Sequence, residues 1–259
     1  MIIGTIALLT LLFGGGVELF FINNFDKGVK EYVIEKDRQK EILANLKTSK
    51  KLISNFNKER EKQYKLFKKL NVSHETTKGD LVDLFDDLYK ERVTHQEVMI
   101  DKRLSVIGKI KADEWDSIMV FSKVSLDKQI RKEQKKLEKN EAKGKETKVF
   151  EKTRKAIINN VSELGKQQVL TTGLNNMINT FEELSDEAER NYVNENDILI
   201  RKDATKDELK QLAGEMNDLR RLIFDQLIEF HLLIKENTNI TEWEKIMKAF
   251  NKEFSITAH

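Results

Sequence analysis

The sequence predicts an all-α protein, with an N-terminal single transmembrane helix followed by two homologous modules. Each module is a hairpin of long helices that ends in a short tryptophan-containing helix. Three observations predict this fold: proline is absent from the 259 residues, charged residues make up 35%, and a 96-residue stretch recurs 128 positions later. Proline is the residue that helices tolerate least, so the composition is that of helices and coiled coils. Cysteine is also absent, which excludes disulfides, thiolate metal sites and cysteine nucleophiles.

The first predicted element is an apolar segment, residues 2–22, in which Glu18 is the only charged residue. About 20 apolar residues are enough to span a bilayer core. A cleaved signal peptide is the alternative, but no Lys or Arg precedes the segment and no small-x-small cleavage site follows Phe21. We therefore expect an uncleaved, single-pass membrane anchor.

Small residues and one acid suggest that this anchor packs closely against another transmembrane helix. Gly14, Gly15 and Gly16 lower helix propensity, but in lipid they allow a second backbone to approach. Glu18 has two interpretations: a carboxylate that reaches the headgroups, or a buried acid that faces a partner helix. We expect Gly14, Gly15, Gly16 and Glu18 to form the membrane-helix packing site.

The charged residues after the anchor bear on its orientation. Five basic residues follow within 20 positions and, by the positive-inside rule, place the following domain in the cytoplasm. Five acids accompany them, although acids count for little in this rule. The basic residues are Lys27, Lys30, Lys36, Arg38 and Lys40, and the acids are Asp26, Glu31, Glu35, Asp37 and Glu41.

The recurring stretch is an internal repeat without gaps. Residues 29–124 and 157–252 share 18 identities in 96 positions, and the two tryptophans of the chain coincide. The repeat signature is Glu114, Trp115, Ile118 and Met119 in the first copy, and Glu242, Trp243, Ile246 and Met247 in the second. The repeat predicts a division into anchor and juxtamembrane segment (1–28), module 1 (29–124), basic linker (125–156), module 2 (157–252) and tail (253–259).

Within each module, apolar residues at 4-3 spacing predict one long helix that packs along a single seam. Both stripes become polar at the same place, which indicates either a weak, wet stretch of the seam or an opening. The first stripe is Ile42, Leu46, Ser49, Ile53, Phe56, Arg60, Gln63, Phe67 and Leu70. The second is Leu170, Leu174, Met177, Phe181, Leu184, Ala188, Asn191, Glu195 and Ile198.

Helix starts are predicted from capping patterns. After breaks at 71–76 and 199–204, Thr77 and Thr205 are expected N-caps, because each has an acid three residues later, Asp80 or Glu208. The short third helix is expected to start from Asp113 or Thr241 as its N-cap. It should bury the tryptophan of its copy.

The linker between the copies, 125–156, contains 12 basic and 6 acidic residues. The simplest interpretation is a solvated helical connector. The alternative is a patch for anionic lipid or nucleic acid. Phe150 is its only aromatic residue, so base stacking has little support and nucleic acid is not an expected partner.

The helix order and the start of the short helix resemble the Spy/CpxP family of extracytoplasmic helical proteins. That family has a Leu-Thr-x-x-Gln-like helix start twice per chain, and Ile240-Thr241-Glu242-Trp243 and Ala112-Asp113-Glu114-Trp115 occupy that place here. Both depart from it: Trp replaces the expected residue type, and Asp113 stands where Thr is usual. The resemblance covers about 95 residues of each copy.

The resemblance implies a cradle-shaped fold without a cofactor that binds unfolded or partner proteins under envelope stress. Members of the family pair as antiparallel dimers, and a tandem duplication could form that pairing within one chain. The resemblance also places the domain outside the cytoplasm, in the periplasm, against the charge rule.

No residue pattern in the chain predicts an enzyme, a metal site or a cofactor. The four histidines form no His-x-x-x-His pair, and glycine-rich phosphate loops are absent. His95 lies on an apolar stripe and is expected to be partly buried; His231 is expected to be exposed. We therefore expect a membrane-anchored adaptor, scaffold or chaperone-like binding protein, whose partners are lipid and other proteins. The alternative is a structural accessory subunit of a membrane complex.

Overall fold

The computed structural model describes residues 24–122, 124 and 150–257, without the side chains of 185, 188–197 and 254–257. Every regular element in these ranges is an α-helix, which confirms the all-α class for the described residues. None of the helices described is both long and apolar enough to cross a bilayer. The predicted anchor, with Gly14, Gly15, Gly16 and Glu18, lies outside the described residues, as does most of the basic linker.

Eight helices are described, four in each half of the chain. The first half contains α1 (Phe25–Tyr32), α2 (Lys36–Val72), α3 (Lys78–Ile107) and α4 (112–122). The second half contains α5 (Glu151–Asn160), α6 (Leu164–Ile200), α7 (Lys206–Asn237) and α8 (Ile240–Thr257).

The helix starts follow the spacing of the sequence repeat. Helices α6, α7 and α8 begin 128 residues after α2, α3 and α4. The two longest helices, α2 and α6, have 37 residues each and also end 128 residues apart. At about 1.5 Å per residue each is about 55 Å long, so these helices are the longest elements among the described residues.

Helices α1 and α5 are absent from the sequence-based prediction. They cross the predicted boundaries at 28/29 and 156/157, so the described part of each half contains four helices rather than three. Both are tied to the following long helix by an identical glutamine. Gln39 donates to the carbonyl oxygens of Lys30 and Val33, at 3.0 and 2.8 Å. Gln167 does the same at the end of α5 and satisfies carbonyls that a helix C-terminus leaves without partners.

The predicted caps of α3 and α7 are confirmed. Thr77 and Asp80 form a capping box at the start of α3, and Thr205 and Glu208 form another at the start of α7. In each box the threonine hydroxyl accepts from the backbone N–H three residues later, while the acid accepts from the threonine N–H. These boxes explain why both helices begin at equivalent positions.

The predicted caps of the short helices are wrong by two residues. Helices α4 and α8 begin at residues 112 and 240, not after Asp113 and Thr241. Asn239 is the N-cap of α8: its side-chain oxygen accepts from the N–H of Glu242, whose carboxylate accepts from the N–H of Asn239, both at 3.0 Å. The acid at the third helical position therefore selects Asn239 over Thr241. Glu114 accepts from the N–H of Lys111 in the same way.

The four long helices form two antiparallel hairpins, α2–α3 and α6–α7, which meet mainly through α3 and α7. Helices α3 and α7 are antiparallel, because Asp86 pairs with Arg221 while Asp101, further along α3, pairs with the earlier residue Lys206. Phe85 and Phe224 stack across this contact, with ring centroids 4.0 Å apart. Equivalent ends of the two halves therefore lie at opposite ends of the bundle.

Candidate functional site: two reciprocal tryptophan docks

The repeat-signature tryptophans are buried, as expected, and each is bound to the opposite half of the chain. Trp115 donates its indole N–H to the carbonyl of Ile200, the last residue of α6, at 2.7 Å. Trp243 donates to the carbonyl of Val72, the last residue of α2, at 3.0 Å. Val72 and Ile200 are equivalent in the repeat. Each tryptophan thus satisfies a terminal carbonyl of the other half's longest helix.

We call the first arrangement the Trp115 dock; it consists of Trp115, Phe25, Arg103 and the end of α6. The Phe25 and Trp115 rings are 5.7 Å apart, and the Arg103 guanidinium lies 5.6 Å from the Trp115 ring centroid. Arg103 also donates to the carbonyl of Leu199 at 2.5 Å. Burial lowers the pKa of Arg103 to about 10, so it remains a cation at neutral pH. A cation is favourable there because the C-terminus of a helix carries a partial negative charge.

A partly buried ion pair fixes the start of α4 beside this dock. The Glu114 carboxylate accepts from both terminal nitrogens of Arg38, at 2.7 and 2.6 Å, and from the N–H of Lys111 at 2.9 Å. The Arg38 guanidinium holds the pKa of Glu114 below its ordinary value, and Glu114 raises the pKa of Arg38. This bidentate pair connects the first turns of α2 and α4.

The second arrangement, the Trp243 dock, consists of Trp243, His231, His74 and the end of α2. The His231 and His74 rings both lie edge-on to Trp243, at centroid distances of 4.9 and 5.4 Å. His231 and Arg103 are equivalent in the repeat. The Trp243 dock therefore has an imidazole where the Trp115 dock has a guanidinium.

His231 belongs to a chain of buried polar side chains that connects α7, α2 and α8. Its Nδ1 lies 3.1 Å from Oδ1 of Asn71. The Asn71 amide nitrogen donates to Asn251, at 2.7 Å, and Asn251 donates to the carbonyl of Lys68, at 2.8 Å. His231 is only 1% exposed, so the expectation that it would be exposed is wrong. Burial, Lys235 and His74 lower the pKa of His231 to about 4.

The remaining signature residues pack beneath the tryptophans. Ile118, Ile246 and Met247 are buried, and Met119 is partly buried. Glu242 caps its own helix as Glu114 does, but the equivalent of Arg38, Lys166, pairs with Glu163. In the first copy, Glu114 and Ile118 therefore hold the short helix against its own half, while Trp115 bonds to the opposite half.

A polar layer lies at the centre of the bundle, where the stripe of the first copy becomes polar. Gln96 and Asn217 exchange two hydrogen bonds between α3 and α7, at 3.3 and 2.7 Å, and Arg220 donates to Asn217 at 2.8 Å. Arg92 and Arg220 are equivalent in the repeat and both are buried. Burial, with Arg220 and Arg60 nearby, holds the pKa of Arg92 well below its ordinary value.

His95 is partly buried beside this layer, as expected, and stacks on Phe56 with ring centroids 4.2 Å apart. Burial and the cations Arg60 and Arg92 lower the pKa of His95 to about 4. The Arg60 guanidinium also lies near the other ring of this stack, 5.3 Å from the Phe56 centroid. The described part of the seam is therefore polar but packed.

The sequence singled out the two tryptophans but not the polar residues that contact their rings in the docks. Arg103 and His231 could have been found from their equivalence in the repeat, since each precedes its tryptophan by 12 residues. Among the described residues, no group of three or more His, Asp or Glu side chains is placed to hold a metal ion. Comparison of the chain with protein-family models, with curated proteins and with solved structures gave no match.

Proposed function

We propose that this chain is a membrane-anchored, non-enzymatic binding protein that arose by tandem duplication and acts as an adaptor, scaffold or chaperone-like protein outside the cytoplasm. The duplication is supported by the reciprocal docking of Trp115 and Trp243, because each half binds the tryptophan of the other half in the same way. The internal pairing is antiparallel, as in the dimers of the Spy/CpxP-like proteins that the sequence resembles.

Exposed aliphatic side chains near the helix ends support a binding role. Ile34, in the turn between α1 and α2, is 84% exposed, and Leu164, the first residue of α6, is 79% exposed. Val120 in α4 and Ile240 at the start of α8 are 66% and 60% exposed. Contiguous exposed apolar patches mark sites that bind other proteins, so we assign these side chains to the surface that a partner would cover.

The binding role is tested by aggregation of a reduced, unfolded protein such as lysozyme in the presence of the chain without residues 1–23. We expect the chain to delay aggregation, and Ile34→Lys with Leu164→Lys to weaken this effect. Val98→Lys is the matched control, since Val98 is exposed on the side of α3. A chain that does not delay aggregation would contradict the chaperone-like function. A C-terminal reporter fusion decides the orientation in the membrane.

The alternative is a structural accessory subunit that packs through its glycine-rich transmembrane helix. It predicts that Gly14→Leu with Gly15→Leu, and separately Glu18→Gln, weaken association with other membrane chains in detergent while membrane insertion is unchanged. If both variants assemble as the parent does, the segment is a simple tether and this alternative loses its main support.

A further inference from the structure

The two tryptophan docks differ in whether their central polar residue can change charge. Arg103 contacts Trp115, and its repeat equivalent His231 contacts Trp243. A guanidinium stays protonated throughout the physiological pH range, whereas an imidazole gains or loses its proton within it. The Trp115 dock therefore contains a permanent cation, and the Trp243 dock contains a group that can acquire one.

The surroundings of His231 suit a neutral ring. The oxygen of Asn71 must be the acceptor towards His231, because the Asn71 amide nitrogen already donates to Asn251. Nδ1 of His231 therefore carries the hydrogen, and Nε2 is deprotonated in the neutral ring. Nε2 is buried and has no hydrogen-bond partner among the described residues. A second proton would be buried there without an acceptor.

The ionisable groups that face His231 are two basic side chains, Lys235 and His74. Lys235, one turn further along α7, donates to the carbonyl of Thr76 at 2.8 Å. His74 lies in the turn between α2 and α3, and its ring is edge-on to the same Trp243 ring. From α8 the contacts are the neutral side chains Trp243 and Asn251, and from α2 the neutral Asn71 and the carbonyl of Lys68. Unlike Arg103, which donates to the Leu199 carbonyl, a protonated His231 would have no acceptor at Nε2 and would be repelled by Lys235, which opposes the partial negative charge at the end of α2.

We propose that acidification opens the Trp243 dock while the Trp115 dock stays closed. Protonation at Nε2 places a buried charge on His231 without an acceptor for the new proton, so the ring leaves its buried site. The polar chain through Asn71 and Asn251 then breaks, and α8 separates from the end of α2. The Trp115 dock is held by Arg103 and by the Arg38–Glu114 pair, whose charges do not change in the same pH range. Opening exposes Trp243, Ile246, Met247 and Phe250. Use of this surface to bind partners rests on the proposed function, but the opening itself does not.

Hydrogen exchange of the full-length chain in detergent micelles tests the opening. In the opened state His231 regains its ordinary pKa of 6.5, compared with about 4 when docked. After correction for intrinsic exchange rates, the opening constant of α8 amides should rise about 40-fold between about pH 6.5 and pH 4.5. Amides of α4 should show no such rise. If α4 and α8 open together, or if α8 shows no rise, the proposal is wrong.

Variants assign the effect to His231. His231→Gln, neutral at every pH, should abolish the pH dependence of α8 opening, while His74→Gln and His95→Gln should retain most of it. Arg103→His should confer pH dependence on α4. A His231→Gln chain with the parent's pH dependence would overturn the assignment. If this variant does not fold, the pH dependence of α4 in Arg103→His, compared with the parent, tests the same assignment. Opening without protection of an unfolded client would contradict the proposed function and leave this inference intact.

Discussion

Trp115 donates its indole N–H to the carbonyl of Ile200, 85 residues further along the chain. The bond joins the short helix of the first half to the end of the longest helix of the second. Its counterpart joins Trp243 to Val72, so a tryptophan bond joins the two halves at each end of the bundle. The tryptophans are therefore interface residues as well as core residues.

Replacing either tryptophan should destabilise the whole chain. Trp243 is 0% exposed, so Trp243→Ala should cost about 3–5 kcal/mol of unfolding free energy through lost packing and a cavity. Trp243→Phe retains an aromatic ring but leaves the Val72 carbonyl without its donor, which adds about 1 kcal/mol to the smaller packing loss. Urea unfolding of the chain without residues 1–23 measures both.

The control for these variants is Val98→Ala, at a 40% exposed position of α3, which should change stability by less than about 0.5 kcal/mol. A Trp243→Ala cost below about 1 kcal/mol would mean that the indole is not buried in solution. Trp243 would then be better explained as an exposed binding residue.

The helical framework could be predicted from the sequence because its determinants are local. The capping boxes at Thr77 and Thr205 involve residues three positions apart, and the apolar stripes follow helical periodicity. Helix α1 was missed because it has only eight residues, too few to show periodicity, and is stabilised by Gln39 of the next helix. The caps of α4 and α8 were misplaced because several polar residues precede each helix and the acid at the third position selects among them.

The docks could not be predicted because they join residues far apart in the sequence. Nothing local indicates that Trp243 meets Val72, 171 residues earlier. The burial of His231 likewise depends on α2 and α8, which cover a side of α7 that a single stripe would leave exposed. The duplication alone implies only that whatever holds one tryptophan has a counterpart for the other.

The polar pair Gln96–Asn217 should be energetically coupled across the contact between α3 and α7. The two side chains exchange hydrogen bonds in a buried layer, so removing one leaves the other unsatisfied. A double-mutant cycle with Gln96→Ala and Asn217→Ala should give a coupling of about 0.5–3 kcal/mol. Asn217→Ala should be the costlier single change, because Asn217 also accepts from Arg220. Additive losses would show that the two helices do not meet in this register.

Acid should weaken the fold through His95 before most carboxylates titrate. The pKa of His95 is lowered from 6.5 to about 4 in the folded state, so the unfolded chain binds the proton more tightly. Stability is therefore complete above pH 6.5 and decreases as the pH falls towards 4. At about pH 5 the loss from one such histidine is about 2 kcal/mol. Urea unfolding at pH 7.5 and pH 5 measures the loss of unfolding free energy in the parent and in His95→Gln. The loss in His95→Gln should be smaller by about this amount, and an equal loss in both chains would contradict the low pKa.

The reciprocal docks predict that neither half folds properly without the other. Residues 24–124 and 150–257, produced as separate chains, would each leave one buried tryptophan without its acceptor and one long helix with its terminal carbonyl uncapped. Each would also expose the face of α3 or α7 on which Phe85 and Phe224 stack. Mixing should therefore produce a 1:1 complex with a gain in helical circular dichroism and a cooperative unfolding transition.

The control for this mixing experiment is the pair of halves that carry Trp115→Ala and Trp243→Ala. These halves should associate at least about 100-fold more weakly, because that factor corresponds to about 2.7 kcal/mol of lost interface energy. Analytical ultracentrifugation gives the dissociation constants. If either half alone is monomeric, fully helical and unfolds cooperatively with the stability of the intact chain, the modules are independent domains. The tryptophans would then stabilise each module from within, and the reciprocal docking would be a weak contact between neighbours.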